Sequence, residues 1–284
     1  MEDSSASQTA RRVAAHRLDY ERIATPYGDP AADLALAADV ADGTPAPRNR
    51  MHDYLRGRTA FFDRAVVNSV DGGIGQIVVG AAGYDGRAFR YAKSGVRWFE
   101  IDHPATQRDK RERLARLGIS EPRQVRFVEA DFTRDPIAER LTAAGLETAK
   151  PSLFLLEGVA VYLEPAVLER VLRQFRQVAR EGSRLAISVS SGADGEARSR
   201  FQASVAALGE PARSTLEAGE ATGLLARAGW RVMAGDDADD PDAAARRERL
   251  RPAGLLTASA APTTSAGPTP STAPSAKQPP RKPQ

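Results

Sequence analysis

Short apolar runs recur through the middle of the chain, and amphipathic stretches separate them. The runs near 76–80, 96–101, 125–128, 152–156 and 184–189 read as strands, and Gln76–Gly80 suits a buried one. Helical spacing marks 86–92, 104–117, 136–144, 165–180 and 215–228. Gly118 and Gly182 sit where helices should stop, and Ser214-Thr-Leu-Glu217 fits a capping box. WRVMA at 230–234 and GLLTASA at 254–260 read as two last strands, joined by an acidic-then-basic loop. Alternation of this kind predicts an α/β fold with a mostly parallel sheet and helices on both faces. The closing strand pair would make one edge antiparallel.

Upstream the pattern is helical. A basic stretch from Thr9 to Arg22 carries Val13, Ala14, Leu18 and Ile23 on its apolar side. Asp29 is placed to cap a short helix starting at Pro30, proline being suited to a first helical position. Met51–Asn68 reads as a longer helix, with Leu55, Phe62, Val66 and Ser69 at helical spacing. Phe61 and Phe62 belong to the core on this reading. Residues 261–284 have seven prolines, no acid and no large apolar residue. Such a segment buries too little to offset its ordering entropy, so disorder is expected there. The chain thus divides into a helical cap (1–70), a sheet domain (71–260) and a tail (261–284).

Composition narrows the function. The 284 residues carry a net charge of +3, with acids and bases interspersed. No basic face emerges, which argues against nucleic-acid binding. Cysteine is absent, which excludes disulfides and thiolate chemistry. His16, His52 and His103 are far apart and form no H-x-x-x-H pair, so no metal site is expected. No apolar run reaches the ~20 residues of a membrane helix, and the first residues lack a secretory signal's apolar stretch. A cytoplasmic location is the expectation.

Residues 76–102 carry the chemistry. Gln76–Gly80 is the first strand, and Gly83 lies in the turn after it, where a missing Cβ lets a ligand approach. Asp102 ends the next strand, 19 residues after Gly83. A carboxylate there can accept hydrogen bonds from both hydroxyls of a ribose. The turn lacks G-x-G-x-x-G, which argues against a dinucleotide pyrophosphate, and no P-loop follows a strand. An adenosine cofactor without phosphate remains, and S-adenosylmethionine is one. Ligand groups gather at the C-terminal ends of parallel strands. Asp131 and Phe132 follow the third strand and could meet adenine; a helix-capping role is the alternative for Asp131. Glu157 ends the fourth strand and could face a methionine ammonium, or else close a salt bridge. Arg58 could clamp a carboxylate through paired N–H donors.

RTAFFDRAV, VVGAAGYDGRAFR, WFEIDHP, VEADF and LEGVAVYL occur in this order at suitable spacing. The set resembles the leucine carboxyl methyltransferase and polyketide O-methyltransferase family, over roughly residues 9–260. The resemblance implies a class I methyltransferase-like Rossmann fold with a seven-stranded sheet. It also implies S-adenosyl-L-methionine as cofactor. By position it assigns the carboxylate-binding arginine to Arg58 and the glycine turn to Ala81-Ala82-Gly83. It assigns the ribose acid to Asp102, the adenine contacts to Asp131 and Phe132, and the strand-four glutamate to Glu157. Ala81 replaces the first turn glycine, which narrows the approach of the methionine portion. The LDSR common after that turn is YDGR here, keeping Asp85 and Arg87.

The implied reaction is methyl transfer to an oxygen of a small molecule, either a carboxylate or a hydroxyl. A carboxylate is already ionised at neutral pH, whereas a hydroxyl gains from a general base. Tyr162, five residues past Glu157, is the candidate to touch the acceptor. His103 more naturally shapes the turn before Pro104. The segment bearing His16, Arg17, Tyr20 and Tyr27 either closes the pocket or buttresses it. The competing reading is a non-catalytic protein that kept the fold and the cofactor.

Overall fold

Strand β1 (Gln76–Gly80) is buried at every position and lies in the interior of the sheet. It pairs in parallel with β2 (Arg97–Asp102) on one side and β4 (Leu153–Leu156) on the other. β3 (Val125–Glu129) extends one edge beyond β2. Beyond β4 lie β5 (Arg184–Ser188), β7 (Leu255–Ala260) and β6 (Trp230–Val232). The order is β3-β2-β1-β4-β5-β7-β6, with β7 antiparallel to both of its neighbours. This is the class I methyltransferase-like Rossmann fold that the motifs implied. The computed structural model of the chain describes residues 7–120, 123–189, 203, 206, 211–214, 216–233 and 254–261. The expected linker at 235–253 and the tail from 262 onward lie outside the described residues. No helix among the described residues is long and apolar enough to cross a membrane.

Each central strand divides its side chains between two cores, as period-two geometry requires. Val78, Phe99, Ile101, Phe154, Leu156, Leu185 and Ile187 face one layer. Helices α6 (Ile137–Ala143), α7 (Pro165–Val178) and α8 (Ala218–Arg227) pack on it. Ile77, Val79, Trp98, Leu153, Leu155 and Ala186 face the other, against α3 (Arg50–Asp71) and the single turn α4 (Arg87–Arg90). A fully buried Leu or Phe contributes about 1.5–3 kcal/mol, so these rows account for the sheet's order. Leu55, Phe62, Val66 and Ser69 are buried as their spacing predicted. Phe62 is fully in the core and Phe61 lies edge-on to it.

Of the N-terminal elements, α3 covers one face of the sheet and the first helix borders the cavity at the strands' C-terminal ends. Helix α1 spans Gln8–Arg17 and stops five residues earlier than its apolar pattern suggested. Helix α2 (Pro30–Ala41) starts at Pro30, and the Asp29 side chain accepts from the N–H groups of Ala31 and Ala32. Helix α5 (Pro104–Arg116) ends before Gly118, whose φ is +68°.

Two terminus readings need correction. The proposed capping box at Ser214 is not formed. Ser214 Oγ donates to Ala160 O, so it secures the short 3₁₀ turn at 160–162. The helix starts three residues later than read, with Glu217 as its cap, and the Glu220 carboxylate accepts from Glu217 N–H. Gly182 does not stop α7, which ends at Val178 because Ala179 is already extended. Its φ of +85° serves the turn into β5 instead.

Candidate functional site

One cavity of about 2190 Å³ opens over the C-terminal ends of β1, β2, β4 and β5. Its lining includes every predicted site residue: Arg58, Ala81, Gly83, Asp102, Asp131, Phe132, Glu157 and Tyr162. Helix α1, the stretch from Val40 to Met51 and the 3₁₀ turn form its other walls.

The turn after β1 is bent by backbone conformation. Ala81 has φ +52° and Gly83 has φ +50°. The left-handed region costs a non-glycine residue about 1–2 kcal/mol, so Ala81 stores strain at the cavity edge. A Cβ on Gly83 would stand 3.0 Å from Ala10 Cβ, which explains the glycine. The turn is held from beneath. Lys110 Nζ, fully buried, donates to Asp85 O at 2.7 Å and to Glu100 Oε2 at 2.5 Å.

Asp102 is partly buried at the end of β2. Its Oδ2 accepts from Gly83 N at 2.5 Å, and its Oδ1 accepts from His103 N at 2.6 Å. Burial raises its carboxyl above the usual range, against the pull of these two donors. Each oxygen keeps further acceptor capacity. His103 caps α5, with Nδ1 accepting from Ala105 N, as the turn-shaping reading held.

Asp131 closes its own turn. Oδ1 accepts from Thr133 N and Oγ1 at 2.8 and 2.6 Å, and Oδ2 accepts from Arg134 Nε at 2.9 Å. Burial pushes its carboxyl up, but these donors prevail and hold it low. The Phe132 ring is buried and edge-on to Phe175, while its carbonyl accepts from Arg170.

Glu157 is surrounded by guanidiniums. Oε1 accepts from Arg58 Nε at 3.0 Å. Oε2 accepts from Arg17 Nη2 at 3.1 Å and Arg87 Nη1 at 2.6 Å. Burial alone would raise its carboxyl; Arg87, then Arg17 and Arg58, hold it far below the usual range. Arg87 also bonds Asp63 and Asp85, Arg22 bonds Asp63 and Asp33, and Arg90 bonds Asp33. This buried network sets five guanidiniums (Arg17, Arg22, Arg58, Arg87, Arg90) against four carboxylates (Asp33, Asp63, Asp85, Glu157). One positive charge is left over beside the cavity. Arg17 Nε is buried with no partner among the described residues.

Sequence reasoning placed Arg58 and Glu157 in one site but not in direct contact. It gave Arg17 no such role and missed the pairing of His16 with His52. Their rings meet through the two Nδ1 atoms at 3.1 Å, although 36 residues separate them. The only sequence signal was that both lie within predicted helices.

Gly158, next to Glu157, has φ +70°, and an added Cβ would stand 2.8 Å from Arg58 Nη1. Gly158→Ala is therefore expected to lower unfolding free energy by about 1–2 kcal/mol, read as a lower denaturant midpoint. An unchanged midpoint would mean that this conformation is not required.

Comparison with known proteins agrees with the fold. A DUF574 family protein of Streptomyces avermitilis superposes with a TM-score of 0.58 at 17% identity, covering 92% of this chain and 99% of that one. A Thermobifida fusca protein, provisionally titled a methyltransferase, gives 0.58 at 18%, over 92% and 97%. The sequence places the family. The leucine carboxyl methyltransferase model matches residues 4–176, and the chain belongs to that family. A Mycolicibacterium paratuberculosis protein, provisionally named an S-adenosyl-L-methionine-dependent methyltransferase, is 37% identical over 166 residues, 58% of this chain and 52% of that protein. One from Mycobacterium sp. strain JLS, named likewise, is 34% identical over 226 residues, 70% of this chain and 73% of that protein. The chain spans about half the length of the first of these relatives.

Proposed function

We propose that this chain binds S-adenosyl-L-methionine in the cavity and transfers its methyl group to an oxygen of a small molecule. The observation that carries the reading is the convergence of Asp102, Asp131, Glu157 and Arg58 on one cavity. Asp102 would take the ribose hydroxyls, since both of its oxygens retain acceptor capacity beside the turn at Ala81 and Gly83. Phe132 and Asp131 would border the adenine, Asp131 being held in place by its own turn. Arg58 and Glu157 would meet the methionine end.

The residues fit such a group on charge as well as position. A buried surplus of one guanidinium is costly unless an anion compensates it, and an amino-acid carboxylate would do so. Arg17 Nε, buried and without a partner among the described residues, is an available donor. The cofactor supplies a methyl on a sulfonium, already activated for displacement. The protein must then align an acceptor oxygen, a task worth several kcal/mol. Tyr162, on the 3₁₀ turn lining the cavity, would touch that acceptor.

Calorimetric titration tests the reading. S-adenosylmethionine and S-adenosylhomocysteine are both expected to bind at micromolar levels. Absence of heat from either ligand would refute it. Binding of both without transfer to any oxygen acceptor would favour a non-catalytic protein.

A further inference from the structure

Resting on the methyl-transfer reading, we propose that the acceptor is a hydroxyl and that His16 Nε2 takes its proton, with His52 as the positioning residue. His16 lies in the last turn of α1, and His52 lies in the first turn of α3. Both side chains are buried, yet His16 lines the cavity. Their Nδ1 atoms are 3.1 Å apart. When both rings are neutral, one Nδ1 donates and the other accepts. A donating His16 Nδ1 leaves its Nε2 as a bare acceptor.

His52 is itself held in place. Its N–H donates to Asn49 Oδ1 at 3.1 Å. Its carbonyl accepts from Tyr20 Oη at 2.9 Å, and the Tyr20 ring stands edge-on to the imidazole at 5.0 Å. The groups acting on His16 are His52 and Arg58 from α3 and Asp19 just past α1. Burial, then His52 and Arg58, keep His16 below its ordinary value, with Asp19 opposing. At neutral pH the ring is therefore neutral, the form that can accept a proton.

The step balances within the named groups. The acceptor O–H bond breaks, its proton passes to His16 Nε2, and the electron pair stays on oxygen as the nucleophile. His16 becomes an imidazolium whose Nδ1–H donates to His52 Nδ1. A carboxylate acceptor would need none of this apparatus, being ionised already. Val40, Pro45, Met51, Leu55, Val161 and Val167 line the same cavity, which suits an acceptor with an apolar body.

The chain has three histidines, so ¹⁵N-histidine NMR is simple to read. His16→Gln identifies the His16 signals by their loss. In the S-adenosylhomocysteine complex, His16 Nε2 is expected to resonate as an unprotonated nitrogen. Adding millimolar phenol, a probe hydroxyl that is un-ionised at neutral pH, should shift it toward the protonated range. In His52→Asn the Nε2 signal should already average between tautomers before the phenol is added. An Nε2 that carries a proton from the start, or that phenol leaves unmoved, overturns the assignment. Calorimetry on the same samples separates the failures. Bound S-adenosylhomocysteine with an inert His16 removes only the base, whereas no binding removes the cofactor reading and this inference with it.

Discussion

Asp102→Ala is expected to abolish detectable S-adenosylmethionine binding while moving the melting temperature by only a few degrees. The proposed ribose contact rests on a carboxylate accepting from two hydroxyls. Hydrogen bonds to a charged group are worth about 1.5–3 kcal/mol each, so losing two weakens binding by at least ~100-fold. The fold should tolerate the change, because burial already disfavours this carboxylate and raises its pKa. Its two backbone donors, Gly83 N and His103 N, lie at a cavity wall where water can replace it. Asp102→Asn keeps an acceptor without the charge and should fall between the two. Calorimetry measures the affinity, and thermal unfolding measures the control. Undiminished affinity in the alanine variant would remove the ribose assignment and, with it, the orientation assigned to every other contact.

Local and periodic features were legible in the sequence. The apolar runs became strands because each is short and bounded; Gln76–Gly80, buried at every position, is the plainest case, whereas Val125–Glu129 keeps one face partly exposed. Asp102 could be placed because a strand end after a fixed βα span has one position. The pairing of charges was not legible. Glu157 meets Arg17, 140 residues away, and Arg87, 70 residues away. In a chain rich in arginine nothing in a residue's neighbours says which carboxylate it will reach. His16 and His52 illustrate the same limit. Each reads as an isolated histidine, and only the crossing of α1 and α3 makes them a pair. Ser214 failed differently. Its spacing to Glu217 fits a cap, but a carbonyl in the 3₁₀ turn competes for its hydroxyl and prevails.

Arg87→Met is expected to cost about 3–5 kcal/mol of stability, the range for removing one partner from buried ions. Arg87 is fully buried, and no other residue spans the network as it does. Nε donates to Asp63 at 2.7 Å, Nη1 to Asp85 and Glu157 at 2.6 Å each, and Nη2 reaches Thr59 O. Its loss leaves Asp63 with Arg22 and Glu157 with Arg17 and Arg58. Asp85 keeps a 3.6 Å contact with Arg17 and the backbone N–H of residue 87 at 2.9 Å, but no close side-chain cation. Methionine fills the volume without supplying any of the donors, so the cost reflects charge rather than a cavity. At about 2–4 °C per kcal/mol for a chain near this size, the melting temperature should fall by roughly 10 °C. Arg87→Lys tests the geometry separately. It keeps the charge but cannot serve three carboxylates with a fixed fork of donors, so it should recover only part of the loss. If methionine instead left the protein as stable as the parent, the carboxylates would have to be neutral or hydrated in the folded state. The surplus positive charge beside the cavity, on which the proposed anion site depends, would then be larger than the ion pairs imply, and Arg58 would be the residue to examine for it.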